Sequence, residues 1–259
     1  MFVVEGIFKP TVTYDIEKVQ EVIDLLLGAL RMNGQILGRE YPVVSVGEGY
    51  QTFLFVPEEN SLVKCIANTY VLKWLDKMDE LGVEYSWRVL GSELYSNHIC
   101  KCVKPKSYIL YTTYVSLESP IQCGDCFGSI PLYRLPVTKD GEYVDVLTWE
   151  SDYKACDTLQ MNCSTGERFG LAQLSKYDSS LTERGRDICN RITIATGIPT
   201  YYYLPKSSGK GLKAEQARKC PSCNGEWLLR EPLHGLFDFR CKKCRLLSNV
   251  AWSVRPSPE

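Results

Sequence analysis

Cys220-Pro221-Ser222-Cys223-Asn224-Gly225 and Cys241-Lys242-Lys243-Cys244 are two Cys-x-x-Cys turns, with seventeen residues between Cys223 and Cys241. Such a turn aims two sulfurs at one point, and two of them close a tetrahedron around Zn²⁺. Gly225 is the residue expected to supply the positive φ that the first turn needs. Trp227-Leu228-Leu229 and Leu236-Phe237-Asp238-Phe239 read as short strands between the turns, which is the pattern of a zinc ribbon. The alternatives are four unligated thiols or two disulfides. Four thiolates leave no coordination position for water, so the metal is expected to be structural and to fold a stretch too short to build its own core.

Charge is unevenly spread around this stretch. From Pro205 onward there are eleven basic and five acidic residues, a balance of +6, which leaves −7 for the preceding chain and −1 overall. A basic tail on an acidic body points to a nucleic-acid contact or to an acidic protein partner. Arg240, Lys242, Lys243 and Arg245 flank the second pair of ligands and are the candidate phosphate contacts. Trp227, Phe237, Phe239 and Trp252 are candidates for base stacking or for core. The upstream Lys206-Ser207-Ser208-Gly209-Lys210-Gly211 lacks the spacing of a phosphate-binding loop and reads as a linker.

A second cysteine group lies in the middle of the chain. Cys100 and Cys102 precede a strand read over Tyr108 to Val115, and Cys123 and Cys126 come after it. A Cys-x-x-Cys turn facing Cys100 and Cys102 would hold a second Zn²⁺, with His98 able to replace one ligand. The rival readings are a redox pair at Cys123 and Cys126, which lacks a helix start at Cys123 to lower a thiol pKa, and four buried thiols. Helical spacing resumes with Trp149, Tyr153, Cys156, Leu159 and Cys163. The two cysteines read there as core residues. Ser180 is read as the cap of a further helix that ends at Gly197. In Tyr201-Tyr202-Tyr203, strand alternation exposes alternate rings unless the strand packs against a sheet.

The first 95 residues carry no chemistry-bearing constellation. A strand over Phe2 to Phe8 is followed by Asp15 as an N-cap and by Ile16, Val19, Ile23, Leu26, Leu27 and Leu30 at helical spacing, with Gly34 as the stop. Val43 to Val46 and Thr52 to Val56 are strands. Asn60 or Ser61 is the expected cap of a helix carrying Cys65, Ile66, Leu72, Leu75 and Met78, with Cys65 in the core. Val83, Tyr85, Trp87 and Val89 alternate as another strand. The order β-α-β-β-α-β is that of a ferredoxin-like fold.

Glu118-Ser119-Pro120 with Cys123-Gly124-Asp125-Cys126, Pro131-Leu132-Tyr133, Trp149-Glu150-Ser151-Asp152-Tyr153 and the block from Cys220 to Trp252, above all Leu233-His234-Gly235-Leu236-Phe237-Asp238-Phe239, carry a resemblance. Across most of its length the chain resembles a bacterial family of uncharacterised zinc-ribbon-containing proteins labelled as nucleic-acid-binding. That resemblance implies a zinc ribbon and a cytoplasmic bacterial protein. It supplies no catalytic residues, and its nucleic-acid label rests on the ribbon itself.

The expected whole is an α+β protein of 259 residues: a ferredoxin-like part over 1–95, a mixed cysteine-rich middle over 96–204 and a C-terminal zinc ribbon over 205–259. No apolar run reaches the length of a membrane span, no signal peptide is visible at Met1 to Gly6, and twelve cysteines in a cytoplasmic chain favour metal ligation over disulfides. Non-enzymatic recognition of nucleic acid leads. A protein-binding module, such as an adaptor or a toxin-neutralising immunity protein, is the alternative. An enzyme built on Cys123 or Cys126 comes third.

Overall fold

A computed structural model describes residues 1–12, 15–137 and 141–255. The chain divides into two compact units. One is Met1–Ile99, Leu117–Ser119 and Gly128–Val144; the other is Cys100–Ser116, Pro120–Phe127 and Asp145–Glu259.

The first unit contains β1 (Phe2–Pro10), α1 (Ile16–Met32), β2 (Val43–Val46), β3 (Gly49–Val56), α2 (Thr69–Glu80) and β4 (Val83–Ser92). Its sheet has the order β2-β3-β1-β4, and every neighbouring pair is antiparallel. Val4, Phe8, Leu54 and Val56 point from the sheet into a core shared with Val19, Ile23 and Leu26 of α1 and with Val71, Leu75 and Met78 of α2. Asp15 caps α1 as expected, accepting from the Glu17 and Lys18 amides at 3.1 and 3.4 Å. The second helix starts later than the sequence predicts. Its cap is Asn68, which accepts from the Val71 amide at 2.9 Å. Ser61 is spent elsewhere, accepting from the Glu58 amide and meeting the Tyr133 hydroxyl at 2.9 Å. Cys65 therefore lies in a 3-10 turn over Lys64–Ile66 and is exposed, not in the core.

The second unit contains β5 (Tyr108–Leu110), β6 (Ile121–Cys123), α3 (Val144–Met161, from its second residue), α4 (Glu167–Ser175), α5 (Ser180–Thr196), β7 (Thr200–Tyr203), α6 (Leu212–Gln216), β8 (Leu228–Leu233), β9 (Phe237–Cys241) and β10 (Leu246–Ser248). One mixed sheet, β6-β5-β7-β10-β9-β8, takes in all six strands. β7 pairs in parallel with β5 and with β10. Residues 205–259 thus add three strands to the sheet that the middle region begins. All three tyrosines of β7 are buried, because the strand is central and covered on both faces. Tyr201 and Tyr203 join Ile109, Phe237 and Leu247 on one face. On the other, Tyr202 meets Trp149 of α3 with ring centroids 6.1 Å apart.

Three local expectations change here. The strand read over Tyr108 to Val115 ends at Leu110. The cap of α5 is Ser179, whose hydroxyl accepts from the Thr182 amide at 3.2 Å, and not Ser180. Cys156 is buried, but Cys163 falls beyond α3 and is exposed.

Candidate metal centres

The C-terminal centre is assembled by three local devices. Cys241 is the last residue of β9 and pairs with Leu246 of β10, so Lys242 to Arg245 form a tight turn that carries Cys244 back toward Cys241. At the first turn the Asn224 amide donates to the Cys220 carbonyl at 2.9 Å and the Cys220 amide to the Gly225 carbonyl at 3.0 Å. The Arg240 amide then donates to the Trp227 carbonyl at 2.7 Å, which lashes the two turns together. The positive φ falls on Asn224, at 56°, and not on Gly225. Asn tolerates that region better than most residues. A Cβ at Gly225 would make only an ordinary contact, 3.4 Å from the Cys223 sulfur.

The sulfurs of Cys220, Cys223, Cys241 and Cys244 all lie within 4.8 Å of one another. Cys223 and Cys241 are 3.7 Å apart. A tetrahedron with metal–sulfur bonds of about 2.3 Å has an edge of about 3.8 Å. The donor set and its spacing therefore fit a four-thiolate metal ion. These thiols differ in how readily they ionise. The Gly225 amide, then the Cys244 side chain, bring the Cys223 thiol down to about 7. Burial drives Cys241 up to about 12 and also raises Cys220. Crowded thiols do not all ionise unaided, and a divalent cation supplies the field that deprotonates them.

The middle centre repeats the design with a different first turn. Cys123 ends β6, opposite Tyr108 of β5. The Phe127 amide donates to the Cys123 carbonyl at 2.9 Å, and Phe127 has φ 58°, the place Asn224 takes in the other turn. Backbone amides reach these sulfurs at 3.4 Å from Cys102 to Cys100, from Asp125 to Cys123 and, in the C-terminal centre, from Cys244 to Cys241. The Asp125 carboxylate accepts from the Lys106 amide at 2.8 Å and ties the turn to the approach of β5. The sulfurs of Cys100, Cys102, Cys123 and Cys126 also lie within 4.8 Å of one another. Burial above all raises the Cys100 thiol, and the neighbouring Cys126 raises Cys102. His98 is exposed and is not among these grouped ligands. Cys123 leads into a turn through Cys126, not into a helix whose start would favour a redox thiolate.

The four basic candidates do not form one open set. Arg240 is half-buried, its guanidinium 4.5 Å over the Tyr201 ring and donating to that hydroxyl at 3.0 Å. Arg245 donates to the Asn190 side chain at 2.8 Å. Lys242 and Lys243 are exposed. Trp227, Phe237 and Phe239 are buried, whereas Trp252 is 45% exposed. His234, to which the sequence gives no role, reaches the middle centre: its Nε2 lies 3.0 Å from the Gly124 carbonyl. The 110 positions between the two hide that contact from any local pattern.

Three families, each described as a domain of unknown function, match the chain in succession: DUF8589 over residues 1–91, DUF2310 over 102–205 and DUF8594 over 209–254. An uncharacterized protein of Haemophilus influenzae is 34% identical over 98% of this chain and 99% of its own. A second uncharacterized protein of that organism is 36% identical over 72% of this chain and 92% of its own. Among solved structures, the de novo designed protein Foldit4 is similar over 35% of this chain and 97% of its own, at 14% identity and a TM-score of 0.24, too low to carry an argument. No helix among the described residues is long and apolar enough to cross a membrane.

Proposed function

Since the chain belongs to the same family as these Haemophilus influenzae proteins, related along its whole length, we propose that it is a zinc-stabilised, non-enzymatic recognition protein that binds nucleic acid. In this reading both tetrads hold Zn²⁺ as closed structural sites. The observation that carries the reading is the C-terminal turn, where exposed Lys242 and Lys243 stand between two ligands of one tetrad. Ligation would hold their backbone still, so two positive charges address a phosphate chain from a fixed rim. The same reading keeps the protein in the cytoplasm, where cysteine-rich chains bind metal more than they form disulfides. It treats the N-terminal unit as ferredoxin-like, which the antiparallel order β4-β1-β3-β2 supports. The three-part reading, 1–95, 96–204 and 205–259, has the successive family matches over 1–91, 102–205 and 209–254 beside it, while the last two parts share one sheet.

Metal analysis of the purified chain is expected to give two equivalents of zinc. One equivalent confines the reading to a single tetrad, and none in metal-replete protein removes it. For the partner, single-stranded and duplex oligonucleotides are titrated at several salt concentrations. The double substitution Lys242→Glu, Lys243→Glu is expected to weaken binding across all sequences. It should also flatten the slope of log affinity against log salt by about two contacts, roughly 0.7 to 0.9 each. Absence of binding at low salt by zinc-loaded protein overturns the nucleic-acid reading. It would favour a protein partner for the acidic body, as an adaptor or a toxin-neutralising immunity protein would have.

A further inference from the structure

The tip of the β8–β9 hairpin is placed against the turn of the middle centre. His234 sits there with φ 53°. Its ring stacks on Phe127 at 4.9 Å between centroids and 25° between planes. Its Nε2 meets the Gly124 carbonyl at 3.0 Å. That carbonyl and the Asp125 N–H are the two ends of one peptide unit, which is planar and rigid. The Asp125 N–H in turn donates to the Cys123 sulfur at 3.4 Å. One plate therefore carries a hydrogen bond from the imidazole at one end and a hydrogen bond to a ligand sulfur at the other. The peptide before it is braced as well. The Gly124 amide donates to the Ser107 carbonyl at 2.7 Å, and a Cβ on Gly124 would fall 2.0 Å from the Ser107 hydroxyl.

We infer that His234 is a positioning residue of the Cys100–Cys102–Cys123–Cys126 centre, acting on Cys123 through the Gly124–Asp125 peptide. The inference rests on the reading that this tetrad holds zinc. Hydrogen bonds in series polarise one another, so donation to the carbonyl strengthens the N–H that faces the thiolate. Groups one step beyond the ligands orient them, and their loss typically costs 10- to 100-fold in metal affinity. The contact needs a hydrogen on Nε2, carried by one neutral tautomer and by the imidazolium alike. The stacking on Phe127 fixes the ring, and Phe127 is itself held against Phe237 at 5.7 Å.

The test uses the full-length chain loaded with cadmium. NMR of the parent is expected to show two tetrathiolate resonances, the middle one identified by its loss in Cys102→Ser. His234→Phe keeps a ring for the stack and removes the donor; His234→Gln restores an N–H. His234→Phe is expected to move the middle resonance and to speed release of that metal to a chelator by about tenfold. The C-terminal resonance and its release stay as in the parent, and His234→Gln recovers part of the loss. A middle resonance and release rate unchanged in His234→Phe overturns the inference. So does an equal change at both centres, which would report a damaged hairpin. A parent with a single resonance overturns the two-metal reading itself, a result distinguishable from either.

Discussion

Cys241→Ser is expected to unfold the second unit's sheet and to leave the N-terminal sheet folded. Cys241 closes β9, β9 pairs with β10, β10 with β7, and β7 with β5. Most of these strands are only three to five residues long. Strands that short hold little stability of their own. A structural zinc contributes an apparent 10 to 16 kcal/mol at neutral pH, roughly the whole net stability of a domain. A ribbon read from the sequence as a domain of its own would confine the damage to residues 205–259. Because the sheet is shared, the loss should spread back to residues 100–116, 120–127 and 145–204. Hydrogen exchange read by mass spectrometry on parent and variant decides it. Fast exchange should appear through those ranges, while β1, β3 and β4 keep their protection. Retained protection at Thr200–Tyr203 would mean that the sheet stands without the metal.

Gly185→Ala is the second large effect, and its direction opposes helix propensity. Gly185 lies inside α5, where alanine would ordinarily be better by about 1 kcal/mol. A Cβ there would fall 2.2 Å from Cε2 of Tyr202 and 2.7 Å from Nε1 of Trp149. Both rings are fully buried, and the indole N–H is held by the Leu181 carbonyl at 3.2 Å, so neither can step aside. Overpacking of this kind costs about 1 to 3 kcal/mol. Gly28→Ala, inside α1, supplies the contrast: a Cβ there meets nothing within 4 Å. It should stabilise by up to about 1 kcal/mol. Urea melts of the two variants are expected to shift in opposite directions. A Gly185→Ala melt at or above the parent's would show that the rings yield.

Features set by neighbours in sequence are legible without coordinates. The two C-terminal turns name the four cysteines whose sulfurs come together because Cys-x-x-Cys geometry is local, and Asp15 names its helix for the same reason. The middle tetrad is readable as four cysteines around a strand, although His98 competes for a place among them. Readings that depend on burial decided elsewhere fail. Alternation along Tyr201 to Tyr203 leaves exposure or packing open, and only the fold shows both faces covered, by Phe237 and Leu247 on one side and Trp149 on the other. Arg240 reads as a phosphate contact, but Tyr201, 39 positions away, occupies its guanidinium. Asn60 or Ser61 reads as the cap on paper, but the helix waits for Asn68, and Ser61 bonds the Glu58 amide and the Tyr133 hydroxyl instead.

The strand order β6-β5-β7-β10-β9-β8 also bears on how the chain emerges from the ribosome. The N-terminal sheet has all its strands once Ser92 is made, and domains fold as units in the order of synthesis. The second sheet has no such convenience. β7 can pair with β5 on one side as soon as Tyr203 appears, but its other side stays open until Leu246 is translated. Through that interval a nascent strand of adjacent tyrosines presents unpaired amides and carbonyls to its surroundings, the kind of edge on which chains aggregate. The four cysteines of the middle centre are all in place by Cys126, so on the zinc reading metal capture there would precede closure of the sheet and give the waiting strands a fixed point to assemble on.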